Sequence, residues 1–327
     1  MTKKKRILTG IKPTGEIQIG NYLSVIKNLI EIQNKYEIFF MIANLHAQTT
    51  PYNPKELRKL TYNIAKACIS LGMDPKKILI FRQSDIYPHI YLMWILLCIT
   101  NIGELQRMHE FKEQSQKYNK QGIGAGILIY PVLMAADILI YNPDLVIVGE
   151  DQRQHLELTR EIARKFNKKF GNILKIPELQ INKETAKIMS LSNPYKKMSK
   201  SEPEGCLEIF APLSLIKEKI LKAVTDSENE VKYDPIKKPA ISNLMTIYKY
   251  LSKKTYQEIE KEFRNKGYYQ FKLSLFKIFV NYFKDARKKF KNIKDSEIEK
   301  IFESSSKKLN KIALFQLKKI IKITGLK

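Results

Sequence analysis

A chain of 327 residues, 44% of them hydrophobic, is long enough for about two domains and rich enough in apolar side chains for a buried core, so it reads as a globular protein. Three cysteines, Cys68, Cys98 and Cys206, are too widely spaced for a zinc knuckle or a disulfide framework and suit a reducing cytoplasm. Lys3-Lys4-Lys5-Arg6 is followed by strand-like Ile7-Leu8 rather than by an apolar segment of signal length, and no apolar run of about 18 residues occurs, so neither export nor a membrane span is expected. The 58 Lys+Arg outnumber the 33 Asp+Glu to give a net charge of +25, which points to a polyanionic partner, although a general richness in Lys, Ile and Asn is the other source of that excess. Residues 1–186 hold 26 basic and 17 acidic side chains (net +9), and residues 187–327 hold 32 and 16 (net +16), so the second part is the better candidate for a nucleic-acid surface.

Ile7-Leu8 opens the chain as a short strand, and Thr9 to Asn21, with Gly10, Gly15 and Gly20, leads into a helix over 21–33. Ile38 to Ile42 is a second apolar run of strand length. Asn53 before Pro54 combines an N-cap with a proline at the first helical position and predicts a helix to Leu71. Ile78 to Phe81 and Leu145 to Val148 complete the short apolar runs, and Arg153 to Phe166 has helical spacing. Runs of this length suit strands buried on both faces, hence a parallel sheet, and the alternation is that of a Rossmann-like doubly wound α/β domain. Beyond about residue 205 the pattern becomes mainly helical, over 213–224, 241–252, 255–264, 268–290 and 295–323, with a proline-bounded connector from Tyr233 to Pro239. The expected organisation is a catalytic domain over 1–186 and a basic helical domain over 187–327, its last helix packing back on the first domain.

In open α/β sheets, ligands bind beyond the carboxyl ends of the strands, at helix N-termini. The Thr9 to Asn21 segment lies there, but taken alone it is equally a turn with structural glycines. It is not a P-loop, because Glu16-Ile17 follows Gly15 where Lys and Ser/Thr are required. Lys197-Met198-Ser199-Lys200-Ser201, after Asn193-Pro194, brings two lysines and two hydroxyls together in a segment suited to a polyphosphate whose charge rises during reaction.

Gly20-Asn21 together with Lys197 to Ser201 resembles the paired signatures of class I aminoacyl-tRNA synthetases. Gly10 to Gly15, Gly20-Asn21-Tyr22, Asn44-Leu45-His46-Ala47, Tyr130 to Leu139, Val148 to Arg160, Lys187 to Leu191 and Ala223 to Glu228 extend the likeness, in order and over almost the whole chain, to bacterial-type tryptophanyl-tRNA synthetases. The resemblance implies activation of L-tryptophan by ATP to tryptophanyl-adenylate and pyrophosphate, then transfer to the terminal adenosine of tRNA(Trp). It further implies a cytoplasmic homodimer, magnesium held by phosphate oxygens and water, and no zinc or iron–sulfur site. ATP is expected at Lys12, Pro13, Thr14, Gly20, Asn21, Gly149, Glu150, Asp151, Ile188, Lys197, Met198, Ser199, Lys200 and Ser201, with Gln18, Gly20, Asn21, Lys197 and Lys200 carrying the chemistry. Tryptophan is expected against Leu8, His46, Tyr130, Met134, Asp137, Val146, Val148 and Gln152.

The residues themselves support part of this. Tyr130, Met134 and Asp137 are related by i+4 and i+3 steps and share one helix face. Asp137 lies inside the apolar run Val132 to Tyr141, where an unpaired charge is costly, so an indole N–H is a fitting partner and a structural ion pair is the alternative. Met134 stands where related tyrosyl enzymes carry a glutamine that reads a phenol, and a buried acceptor that loses its partner rejects the wrong ligand by roughly 10⁴-fold. Val146 and Val148 are pocket walls or ordinary core. His46 is expected near the tryptophan carboxylate by resemblance, and His155 packs or hydrogen-bonds on its helix, whereas His89 and His109 have no assigned part.

The sequence also departs from the family pattern. Gln18 replaces the first signature's histidine or threonine, Lys12 stands where some relatives have glutamine, and Leu8 replaces an aromatic. Gln114 occupies the place of a phosphate-reaching lysine, a role open to Lys112, Lys117 or Lys120. Tyr268 and Tyr269 are candidates for base stacking, or parts of a helix core and surface. A tyrosyl enzyme, an adenylyltransferase without tRNA and a degenerate nucleic-acid-binding relative are the alternatives.

Overall fold

The computed structural model describes residues 4–117, 124–181, 187–200 and 202–327. Its described residues form a parallel sheet of five strands: β1 (Arg6–Ile11), β2 (Glu37–Ile42), β3 (Ile78–Arg82), β4 (Leu145–Val148) and β5 (Glu178–Ile181), in the order β3-β2-β1-β4-β5. The four apolar runs of the sequence are four of these strands. The fifth, β5, has a mixed sequence at the sheet edge and carries no comparable signal. Side chains alternate across the sheet with period 2. Ile7, Ile38, Phe40, Ile42, Ile78 and Ile80 enter one apolar cluster, whereas Leu8, Phe39, Met41, Phe81 and Val146 enter the other. Chain order reverses between β1 and β4, so the crevice at their carboxyl ends is the topological switch point where such sheets bind ligands.

The first helical run starts two residues earlier than the sequence suggests. It comprises α1 (Ile19–Asn21), a π-helical segment (Tyr22–Ile26) and α2 (Lys27–Ile32), with Gln18 as N-cap. In α3 (Pro54–Leu71) the side chain of Asn53 accepts from the amides of Lys55 (2.9 Å) and Glu56 (3.1 Å), so both elements of the expected start are present. Next come α4 (Pro88–Leu97), α5 (Ile102–Gln106), α6 (His109–Lys117), α7 (Ala125–Leu139) and α8 (Arg153–Phe170).

The remainder is helical as expected: α9 (Leu213–Lys222), α10 (Pro239–Ser252), α11 (Tyr256–Glu262), α12 (Tyr268–Asn292) and α13 (Asp295–Ile323). These helices do not form a separate core. Phe279 and Phe283 of α12 share the first apolar cluster with Ile7 and Phe40, and Leu309, Ala313 and Leu317 of α13 share the second with Phe39 and Phe81. At the end of β3, Arg82 donates to both carboxylate oxygens of Glu299 on α13 (2.9 and 2.7 Å), a forked geometry that fixes where the last helix lies. Among the described residues no helix is long and apolar enough to cross a membrane.

Candidate active site

The two signatures meet beyond the carboxyl ends of β1 and β4. Residues 188–198 fold back on themselves through an antiparallel bridge between Met189 and Lys197, with the Met198 amide donating to the Ile188 carbonyl at 3.0 Å. Asn243 of α10 clasps this turn at both sides of one residue, accepting from the Met189 amide (2.8 Å) and donating to its carbonyl (2.9 Å). Gln18 is buried, and its Nε2 donates to the Met198 carbonyl at 3.3 Å, so it ties one signature to the other. Asn21 turns back on its own helix start, its Oδ1 3.4 Å from the Gln18 amide, while the Ile19 amide donates to the Leu207 carbonyl at 2.9 Å.

Both signature lysines are engaged. Lys200 donates to the carbonyls of Gly15 (2.8 Å) and Lys12 (3.3 Å), and a side chain at Gly15 would bring its Cβ to 3.3 Å from the Lys200 stem. Burial pushes the Lys200 ammonium down to about 8, with the Glu16 carboxylate opposing that shift. Lys197 pairs with Asp151 Oδ1 at 2.8 Å. Burial would raise the Asp151 carboxyl, but hydrogen bonds from Gln152 (Nε2 to Oδ2, 3.0 Å) and Lys197 outweigh it and hold the group below its ordinary range. Gly149 permits this packing, because a Cβ there would stand 2.5 Å from Asp151 Oδ1. Ile188 is buried beside Gly20, Pro13 is buried and Thr14 is exposed. Ser201 lies outside the described residues, and Glu150 is described in its backbone only.

The residues expected around tryptophan come from β1 (Leu8), the turn after β2 (His46), α7 (Tyr130, Met134, Asp137), β4 (Val146, Val148) and the turn after β4 (Gln152). Leu8 lies opposite Phe39 on one side and Val146 on the other, and with Val148 and Met134 it belongs to the second apolar cluster. Tyr130 stands edge-on to His46, ring centroids 5.9 Å apart, and its hydroxyl meets His155 Nε2 at 2.5 Å. Burial lowers His155 to about 4, so its ring is neutral at pH 7. The Lys12 ammonium sits 5.2 Å from the centre of the Tyr130 ring, and burial lowers its affinity for a proton against the nearby Glu110. Lys12 therefore contacts both Tyr130, through its ammonium, and Lys200, through its carbonyl.

Asp137 is fully buried and already well partnered within the protein, the structural pairing that stood as the alternative to an indole partner. His46 Nε2 (2.8 Å) and Gln83 Nε2 (2.7 Å) both donate to Oδ2, and His89 Nδ1 lies 2.9 Å from Oδ1 without the alignment of a hydrogen bond. Burial alone would raise this carboxyl, yet the His89 contact and the His46 hydrogen bond hold it down at about 2. His89 is locked in turn by the Tyr141 hydroxyl at 2.8 Å. Neither Gln83 nor His89 was singled out by sequence. The available signal was position, because Gln83 directly follows β3 at the sheet's ligand-binding edge.

Other expectations lie elsewhere. Tyr268 is buried, and its hydroxyl donates to Asp226 at 2.6 Å, so it is not available for stacking, whereas the adjacent Tyr269 is 67% exposed. Lys112 is exposed on α6; the side chains of Gln114 and Lys117, and all of Lys120, lie outside the described residues.

A family model for class I tRNA synthetases (W and Y) matches residues 1–284. The chain belongs to this family, in its bacterial tryptophanyl branch. It is 42% identical to a tryptophan–tRNA ligase of Caldanaerobacter subterraneus over 324 residues, 98% of either chain. Its fold is similar to that of a tryptophanyl-tRNA synthetase from Mycoplasma pneumoniae (TM-score 0.89, 36% identity, 99% of this chain and 98% of that one). A Campylobacter jejuni tryptophanyl-tRNA synthetase, whose structure contains ADP and tryptophan, aligns with TM-score 0.86 at 35% identity over 98% of this chain and 99% of its own. These full-length likenesses make the chain a ligase of the aminoacyl-tRNA synthetase class.

Proposed function

We infer that the chain is a tryptophan–tRNA ligase, which joins L-tryptophan to ATP as tryptophanyl-adenylate with release of pyrophosphate and then passes the tryptophanyl group to the 3′-terminal adenosine of its tRNA. The observation that carries this reading is the convergence at the switch point: Lys12 touches Tyr130 on the amino-acid side, while its carbonyl accepts from Lys200 on the nucleotide side. A carboxylate bound near Tyr130 and an α-phosphate bound near the first signature would be held side by side, which removes the entropic barrier of bringing them together.

No covalent nucleophile is needed in such a site. The substrate carboxylate attacks the α-phosphate, the bond to the β-phosphate breaks, and charge spreads onto the leaving pyrophosphate. Lys197 and Lys200 are suited to that charge because each is held by partners a phosphate can replace: a single carboxylate for Lys197 and two carbonyls for Lys200. Gly20 and Asn21 would contribute backbone N–H groups, and Gln18 would position the second signature against the first. Asp151, released from Lys197, would accept from ribose hydroxyls. Pro13, Thr14, Gly149, Glu150, Ile188, Met198, Ser199 and Ser201 complete the nucleotide site. Leu8, His46, Tyr130, Met134, Asp137, Val146, Val148 and Gln152 complete the tryptophan site, Met134 giving apolar surface where a phenol would need a polar partner. Magnesium would travel with ATP on phosphate oxygens and water, since the described residues form no cluster of His, Cys, Asp or Glu suited to hold it.

The working unit would be a cytoplasmic homodimer. On α4 and its flanks Tyr87 (80% exposed), Ile90, Tyr91, Trp94 (69%) and Ile102 (66%) form an apolar face too rich in aromatics for an ordinary solvated helix. The tRNA would lie along 187–327. No acidic residue occurs after Glu303, and Lys307, Lys308, Lys311, Lys318, Lys319 and Lys322 share the exposed stripe of α13 with Phe315. The catalytic role of 1–186 and the RNA-binding role of 187–327 would thus be a division of labour over shared cores. ATP–pyrophosphate exchange with tryptophan and with tyrosine, followed by charging of tRNA(Trp), tests the reading. Exchange with tyrosine alone, or no exchange, would sink it.

A further inference from the structure

Gln83 forms the connection between the three segments that build the amino-acid pocket, and neither the sequence motifs nor the family match assigns it a part. It is fully buried, at the first position after β3. Its Oε1 accepts from two consecutive backbone amides of the turn after β2, Leu45 (3.0 Å) and His46 (3.3 Å), and its Nε2 donates to Asp137 Oδ2 on α7 at 2.7 Å. The orientation of the carboxamide is fixed by its neighbours. Turned over, it would set its NH₂ against two N–H groups and its carbonyl against a carboxylate, losing every contact. The turn is held from the other side as well, where Asn44 donates to the Ser84 hydroxyl (2.8 Å) and accepts from the Ser84 amide (3.1 Å).

We propose that Gln83 is a positioning residue for side-chain recognition, holding the Asp137 carboxylate and the His46 ring as one unit facing Tyr130. This rests on the reading that Asp137 and His46 contact the tryptophan substrate. Two donors on Oδ2 fix the carboxylate plane, and the same amide fixes the backbone of His46, whose own Nε2 supplies the second of those donors. His46 Nδ1 is buried with no partner among the described residues, so the ring presents one uncommitted nitrogen whose aim Gln83 sets. Apart from a protonated glutamate, no other side chain of this length both accepts from two amides and donates to a carboxylate. A glutamate keeps the acceptor and, when ionised, replaces the donor by a second negative charge.

The test compares the full-length wild-type chain with Gln83→Met and Gln83→Glu in ATP–pyrophosphate exchange between pH 6 and 8, with KM for tryptophan and for ATP measured separately and thermal unfolding in parallel. Gln83→Met removes the clasp at nearly constant volume. It is expected to raise KM for tryptophan about 10- to 100-fold at every pH, the loss of a hydrogen bond to a charged group, with KM for ATP within about twofold of wild type. Gln83→Glu is expected to approach wild type at low pH, where its protonated carboxyl can still donate to Asp137, and to match or exceed the defect of Gln83→Met as pH rises and it ionises. Unchanged KM for tryptophan in both variants overturns the inference. So does a common shift of both KM values and the unfolding temperature with no pH difference between the variants, the signature of a merely structural role. If Gln83→Glu does not fold, the split between the two KM values in Gln83→Met decides. A wild-type chain without tryptophan-dependent exchange overturns the functional reading and this inference with it.

Discussion

At the scale of single residues, the two signature lysines differ in a way that their sequence symmetry hides. Lys197 reaches a carboxylate near the surface, whereas Lys200 is half-buried with its ammonium held against two carbonyls and is easily deprotonated for a lysine. Lys200→Ala should therefore lower the adenylation rate by about 10²–10³-fold while tryptophan affinity, measured by calorimetry, changes little. The pH dependence follows from the direction of the shift. With its proton affinity lowered to about 8, Lys200 is an ammonium below that pH and neutral above it, so kcat/KM for ATP should fall as pH rises through about 8. Lys200→Arg, which stays charged, should remove that limb of the profile. An unaltered profile in Lys200→Arg would assign the limb to another group.

At the scale of elements, the second signature is held by a helix far along the chain. Asn243 makes two hydrogen bonds to the backbone of Met189, and its replacement leaves a donor and an acceptor without partners in a half-buried turn. Asn243→Ala should lower stability by roughly 1–3 kcal/mol in denaturant unfolding. It should also slow adenylation, because the loop bearing Lys197 and Lys200 loses its anchor. The link between β3 and α13 is comparable. Glu299 accepts both guanidinium donors of Arg82 and the Tyr62 hydroxyl, so Glu299→Ala should loosen α13 and expose its amides to hydrogen exchange.

At the scale of the whole molecule, the two exposed surfaces make separate predictions. Trp94 is the single tryptophan of the chain, and burial of α4 against a second copy would shift its emission to the blue on association. Trp94→Asp should shift sedimentation towards the monomer. For the α13 stripe, the triple reversal Lys311→Glu, Lys318→Glu and Lys322→Glu should weaken tRNA binding steeply and reduce its salt slope by roughly 2–3, with pyrophosphate exchange unaffected. Equal loss in exchange would indicate damage to the fold rather than to an RNA surface.

The sequence by itself determined four of the sheet's five strands, the long helices, the family and the residues at the two signatures. Each of these is written in contiguous residues, as apolar runs of strand length, caps such as Asn53-Pro54, or motifs of five to ten residues. Only the tertiary structure decided that Asp137 is caged by His46, Gln83 and His89, that Gln18 and Asn243 hold the second signature, that Tyr268 is internal, and that α13 completes the core beneath β3. Those contacts join residues from 42 to 225 positions apart in the chain. A polar side chain with a buried partner looks the same in sequence as one in solvent, because its environment is set by which strand ends and helices the fold brings together, and no local pattern encodes that.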